Sequence, residues 1–426
     1  MTNVSSKSDP SPQVRAPVFT QTGESSWPDM DHWQQIGPAE VDIARDMTER
    51  NELSGGTPIV REFEQAWRKW VGSRYAITVS NGSMALYSAF FGIGLGPGDE
   101  FICPSYTWIC SISGALMLGA RPVFCESDPR STLLDPDDVR RRITDKTRAI
   151  VAVHLWGNIC DMDRLAAISE ETGIPLIEDC SHAHGATYRD RHVGTIGKVG
   201  CWSLQGSKPV SAGEGGVLVT DDVEVFERAC VLGQVNRLGG VDLATDRYQH
   251  LQPFGIGLKT RAHPLGIGIA SAQLQKLAAL NARRQAYLEE VEAGLMEIDG
   301  ISPMKVHDGA MRGGFYGFPT IHEPELTGVS TETFVEAMKA EGLPARDNPY
   351  PLLHQLSIFR NGFDLFTRNR CGLSGDYPGY DDDALPATRK MVDQLIFLPM
   401  LSDPIDGAAA RVLEAVRRAA AGLKKG

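Results

Sequence analysis

Between Tyr75 and Asp179, short apolar runs alternate with amphipathic stretches, and this rhythm leaves the chain few architectures. Residues 75–79, 100–103, 121–125, 149–154 and 175–178 read as strands, and 83–92, 108–118, 137–143 and 162–172 read as the helices between them. Runs this short and uniformly apolar suit strands buried on both faces. Joined by helices, they give an α/β fold with a mainly parallel sheet covered on both sides. In such sheets ligands bind beyond the carboxyl ends of the strands. The chemically able residues fall there: Asn81-Gly82-Ser83, the run 105–108, and 179–184.

Residues 203–216, Ser-Leu-Gln-Gly-Ser-Lys-Pro-Val-Ser-Ala-Gly-Glu-Gly-Gly, join two further strand-like runs at 199–203 and 217–220. Lys208 therefore sits between strands, where an ammonium is expensive to bury unless it is paired or used. Desolvation lowers its pKa, as a lysine needs in order to attack a carbonyl and later move protons. The plain alternative is a lysine on an exposed hairpin tip. Its company argues otherwise. The 80–83 turn offers free N–H groups at a helix start and a hydroxyl, a setting for phosphate. Trp108 can wall a flat ligand. Asp179 ends a strand, where a carboxylate can keep a pyridine nitrogen protonated. Anion cradle, aromatic, acid and lysine are the parts that pyridoxal phosphate requires to act as an electron sink.

Rival chemistries fit less well. Cys180, His182 and His184 match no zinc spacing, so no metal is expected. The alternating glycines of 92–98 close a helix instead of opening one, unlike a dinucleotide fingerprint, and no P-loop is present. A formal charge of −12 argues against a nucleic-acid partner. No run is long enough for a membrane span, and the N-terminus has no apolar signal core. The eight cysteines are scattered, mostly in apolar runs, as expected of reduced thiols in a cytoplasmic protein.

The domain reading is a flexible, Ser- and Pro-rich arm at 1–35, a large cofactor-binding domain at 36–280 and a smaller C-terminal α+β domain at 281–426. Two long helices are expected at 264–281 and 283–297, a closing helix at 406–423, and a surface excursion at 355–390.

With those motifs in order, the chain resembles the DegT/DnrJ/EryC1/StrS family of sugar aminotransferases, on the aspartate-aminotransferase-like fold (fold type I of the pyridoxal phosphate enzymes). Ser54-Gly55-Gly56, Asn81-Gly82-Ser83, Pro104-Ser-Tyr-Thr-Trp108, Val153-His-Leu-Trp-Gly157, Glu178-Asp179 with His182-Ala-His-Gly185, and Ser203 through Lys208 to Gly216 carry the likeness. It implies that Lys208 holds the cofactor aldehyde as a Schiff base, Asp179 pairs with the pyridine nitrogen, and Trp108 stacks on the ring. His182 would lie against the other face or the phenolic oxygen, and Gly82, Ser83 and Ser203 would bind the phosphate. The family is homodimeric with shared sites, so Lys259 is expected to reach a neighbour's phosphate. Gln205 stands where many nucleotide-sugar enzymes have histidine; a glutamine there is similar to the branch that aminates keto-cyclitols. His354 lies in a stretch similar to the family's substrate-facing loop. The implied reaction is a ping-pong transamination from glutamine or glutamate to a keto-sugar or keto-cyclitol, as in aminoglycoside-type antibiotic biosynthesis. The alternatives are a sugar dehydratase or lyase, whose branch carries histidine at the position of Lys208, and a non-catalytic regulatory relative that keeps the cofactor.

Overall fold

The computed structural model describes residues 28–32, 34–235, 243–362 and 377–423. Seven strands form the main sheet: β1 (Tyr75–Val79), β2 (Glu100–Pro104), β3 (Arg121–Cys125), β4 (Thr147–Val153), β5 (Leu176–Asp179), β6 (Val199–Ser203) and β7 (Gly216–Thr220). Their order is β1-β7-β6-β5-β4-β2-β3. Only β7 runs antiparallel to its neighbours; the other pairs are parallel. Every parallel strand therefore ends at one edge, and the β6–β7 loop, with Lys208, turns at that same edge. Around the sheet lie α1 (Pro38–Glu49), α2 (Pro58–Val71), α3 (Gly82–Gly92), α4 (Cys110–Met117), α5 (Pro136–Arg142), α6 (Met162–Thr172) and α7 (Val223–Gly233).

The helix starts explain themselves locally. Asn81 caps α3 by accepting the Met84 N–H at 2.8 Å, and Asp161 and Asp222 do the same for α6 and α7. The sheet interior is almost wholly apolar: Ile150, Val151, Ala152, Ile177 and Val199 are fully buried, which accounts for the clean strand signal.

The helices expected at 264–281 and 283–297 are one, α8 (Pro264–Leu295), 32 residues long. Asn281, where the first of the two was expected to end, spends its side chain on tertiary bonds. Its Nδ2 donates to the His184 carbonyl at 2.8 Å and its Oδ1 accepts the Gly314 N–H at 3.3 Å. The helix thus crosses the expected domain boundary at 281. Beyond it a second sheet, β8 (Ile301–Pro303), β9 (Phe318–His322), β10 (Arg346–Asp347) and β11 (Leu395–Leu398), is antiparallel throughout in the order β8-β9-β11-β10. It packs with helices Thr331–Ala340 and Ala408–Leu423 over a second core that includes Phe318, Phe334, Ile396 and Val412.

Two other expectations read differently in space. The described parts of the 355–390 excursion are anchored, not superficial. Phe359 and Leu385 are fully buried, the Tyr380 hydroxyl accepts the Phe124 N–H at 3.0 Å, and Pro386–Asp393 is a helix. The last part of the arm is docked too, with Met30 fully buried in the second core; residues 1–27 lie outside the described residues. Among the described residues, no helix is long and apolar enough to cross a membrane.

Candidate active site

The carboxyl edge of the main sheet collects the residues in question. Val79 of β1 leads into the Asn81–Gly82–Ser83 turn, and Ser203 ends β6 beside it. The two segments meet with no room for a side chain. A Cβ on Gly82 would lie 2.7 Å from that of Ser203, and one on Gly216 would lie 2.4 Å from the Asn81 carbonyl oxygen. This approach sets the start of α3 and the Ser203 hydroxyl side by side, a setting suited to an anion.

Lys208 is only 7 % exposed. Its backbone N–H donates to the Gln205 carbonyl at 2.8 Å, closing a tight turn that aims the side chain inward. Burial pulls its pKa down to about 7, against the opposing pull of the nearby Asp179 charge. Near neutral pH much of it is a free amine, the form that attacks carbonyls. Asp179, at the end of β5, is buried as well. One of its oxygens accepts the Ser111 hydroxyl at 2.7 Å and the other the Ser181 N–H at 3.1 Å; Thr107 backs Ser111 at 3.0 Å. The carboxylate is thus oriented by neutral donors.

An aromatic wall faces this pair. The Lys208 Nζ lies 3.4 Å from the centre of the Tyr316 ring, and that ring stacks on His182 at 4.0 Å. His182 accepts the Trp156 N–H through Nδ1 at 3.2 Å. Burial, helped by the Lys208 charge, holds its pKa well below the usual histidine range, so the ring stays neutral. Trp156 stacks on Tyr350 at 4.8 Å, and Trp108, 41 % exposed, tilts against Tyr350 at 5.5 Å. The Tyr106 hydroxyl donates to Asn348 at 2.8 Å. Arg346 packs on Phe397, 5.5 Å from the ring centre, and burial lowers its guanidinium pKa while the tyrosines 350, 106 and 316 oppose the shift. Motif reading gave no role to Ser111, Trp156, Tyr316, Arg346 or Tyr350. Trp156, held at φ +62° beside Gly157, left a local trace in the Val153–Gly157 motif, and Tyr350 one in the 348–354 stretch that holds His354.

The remaining expected residues are placed as follows. Gln205 is exposed, and its Oε1 accepts the Ser207 hydroxyl at 2.6 Å; that hydroxyl also meets the Tyr316 hydroxyl at 2.9 Å. His354 is fully buried, with one ring nitrogen on the Ser105 hydroxyl at 2.7 Å and the other on the Asp382 carbonyl at 3.2 Å. Both nitrogens are engaged within the protein, so its loop presents Asn348 and Tyr350 to the wall instead. Lys259 is exposed on the segment entering Thr260, whose carbonyl accepts the Ser80 N–H at 2.6 Å. Cys180, His182 and His184 do not cluster. Among the described residues, the metal-type trio is His154, Glu178 and Cys180, and Glu178 there staples the backbone N–H groups of Gly194, Ile196 and Gly197 at 2.6–2.8 Å.

A mainly parallel sheet with one reversed strand thus brings a buried amine on its hairpin to the edge where a neighbouring strand ends in a buried acid. The model of the DegT/DnrJ/EryC1/StrS aminotransferase family matches residues 34–417, and the chain belongs to that family. It is 32 % identical to the L-glutamine:scyllo-inosose aminotransferase of Streptomyces griseus, over 76 % of this chain and 79 % of the relative. It is 34 % identical to the L-glutamine:2-deoxy-scyllo-inosose aminotransferase of Streptomyces lividus, over 66 % of this chain and 67 % of the relative. Among solved structures, 3-amino-5-hydroxybenzoic acid synthase superposes with a TM-score of 0.78 at 27 % identity, covering 92 % of this chain and 98 % of that one. The chain is an aminotransferase.

Proposed function

We propose that this aminotransferase uses pyridoxal phosphate to carry an amino group from glutamine to the ketone of a cyclitol of the scyllo-inosose type. The observation that carries the reading is the buried Lys208, drawn to about 7 beside Asp179; the names of the relatives supply the donor and the acceptor class. The donor set fits the cofactor: a cradle at Gly82, Ser83 and Ser203 for the phosphate, Asp179 for the pyridinium, and Trp108 and His182 for the ring. Bound there, the cofactor supplies the electron sink for carbanion chemistry. Asp179, oriented by Ser111 and Ser181, keeps the ring nitrogen protonated. Lys208 Nζ takes the α-proton of glutamine in the first half of the cycle and delivers a proton to the former carbonyl carbon of the acceptor in the second. Neutral His182 packs without adding charge. Tyr316, Tyr350 and the residues beside them exclude water over the reacting atoms.

The reading includes a homodimer. Phe254, Ile256 and Leu258 are 65 %, 60 % and 49 % exposed next to Lys259, an apolar run that a second copy would cover while receiving Lys259 at its phosphate turn.

Visible absorption of the purified protein, recorded after glutamine and glutamate are added separately and then after scyllo-inosose, tests the reading. Glutamine should bleach the cofactor band and scyllo-inosose should restore it. No band after pyridoxal phosphate is supplied, or a band that neither donor moves, overturns it.

A further inference from the structure

The lysine loop is braced from outside the sheet. The Gln35 side-chain amide donates to two carbonyls of this loop, those of Gly206 and Lys208, the latter at 3.3 Å. Gln35 is itself held. The buried Gln273 of α8 donates to the Gln35 carbonyl at 3.2 Å, and its Oε1 accepts the Ser211 N–H of the same loop at 2.7 Å. Four residues earlier the chain is locked to the second core. The two Asp31 oxygens accept the N–H groups of Ser402 and Asp403 at 2.8 and 2.7 Å, the His32 N–H donates to the Asp403 carbonyl at 2.8 Å, and the Met30 carbonyl accepts the Ile405 N–H at 3.0 Å. The same 402 turn is tied by Arg284, which donates to Ser402 at 3.0 Å and to Gly314 at 3.3 Å, two residues before Tyr316.

We propose that Gln35 is a positioning residue for the catalytic lysine, and that through it the docked end of the arm couples the lysine loop to the 402–405 turn of the C-terminal sheet region. This rests on Lys208 being the lysine that carries the cofactor. The carbonyl of 206 lies inside the 205–208 turn that aims the side chain, and that of 208 lies at its end. A donor bridging both fixes the direction of the Lys208 Cα–Cβ bond, and with it the place of Nζ above the Tyr316 ring. Loss of two ordinary hydrogen bonds at a half-buried site leaves the fold intact and loosens this aim.

The experiment compares the parent with Gln35→Met, which keeps the length without the donor, and Gln35→Glu, which sets oxygens against the two carbonyls. Both are loaded with pyridoxal phosphate. The readouts are the pH midpoint of the cofactor absorption band, hydrogen exchange of residues 204–213, and kcat with glutamine. Gln35→Met should fold, take up cofactor, shift the midpoint, exchange faster over 204–213 and lose about tenfold in kcat with little change in KM for glutamine. Gln35→Glu should lose more. A Gln35→Met enzyme with the parent midpoint, exchange and kcat overturns the proposal. Asp31→Ala should speed exchange over 204–213, and in the double variant its effect should not add to that of Gln35→Met; unchanged exchange or full additivity overturns the coupling. Lys208→Ala is the separate control. If it still forms the band and turns over, the underlying assignment of the lysine fails, whatever Gln35 does.

Discussion

One side of the site is built from strand ends between Val79 and Ser203, the other from side chains such as Tyr316, Arg346 and Tyr350 that arrive more than a hundred residues after Lys208. The first side is polar and held mostly by local hydrogen bonds: a capped helix start, a tight lysine turn and the Ser181 N–H on the Asp179 carboxylate, which Ser111 reaches from 68 positions away. The second is aromatic and held by packing, with His182 as the joint between the two. The difference teaches how the labour divides. In the proposed reaction the strand-end side would supply the chemistry common to both half-reactions. The aromatic side would then select which carbonyl compound or amino acid is placed over the lysine.

Substitutions on the strand-end side should therefore damage both half-reactions alike, and those on the aromatic side should damage them unequally. The largest effect is expected from Lys208→Ala, which should lower both half-reactions at least about 10⁴-fold while leaving a folded protein, as single-turnover spectra would show. Asp179→Asn should cost about 10²–10³-fold in both, with weaker cofactor retention in dialysis. Ser111→Ala leaves the carboxylate but removes its 2.7 Å donor; a loss of about tenfold, equal in both halves, is expected from stopped-flow measurements. Tyr316→Phe keeps the ring beneath the lysine and loses the 2.9 Å contact with Ser207. A drop of about threefold in the acceptor half, with the glutamine half untouched, would sharpen the division. Equal losses would break it.

The lysine itself offers a thermodynamic check on the protein stripped of cofactor. Its folded pKa, about 7, lies below the unfolded value of roughly 10.4. Between those values the unfolded chain holds a proton that the folded chain lacks, so this group makes stability rise with pH across the window; below pH 7 its penalty is full and constant. Lys208→Met should be more stable than the parent by about 2–4 kcal/mol near pH 7, and urea titrations should show the gap closing toward pH 10.

The strand-end side was legible because its determinants are local. Apolar runs placed the strands within a residue or two of 75–79, 121–125 and 199–203, and Asp179 and Lys208 stood out by their position at the ends of such runs. Ser111 lies 68 positions from Asp179 and Tyr316 lies 109 from Ser207, so no window of sequence could pair them. The helices expected at 264–281 and 283–297 proved to be one, and the bonds of Asn281 to His184 and Gly314 lie outside any sequence window for the same reason. His354 drew notice through the resemblance of its loop to the family's substrate-facing loop, and the fold uses both nitrogens to clasp Ser105 and Asp382.

The unbroken course of α8 has a practical consequence for recombining such enzymes. At 1.5 Å per residue its 32 residues form a beam of roughly 48 Å shared by both cores. A chimera that borrows another enzyme's aromatic side by splicing at residue 281 would join two half-beams whose phases were never matched, and would also discard the Asn281 ties to His184 and Gly314. Crossovers belong in the short link between Leu295 and Ile301, where a change of parent leaves the beam whole and carries the entire C-terminal sheet with it.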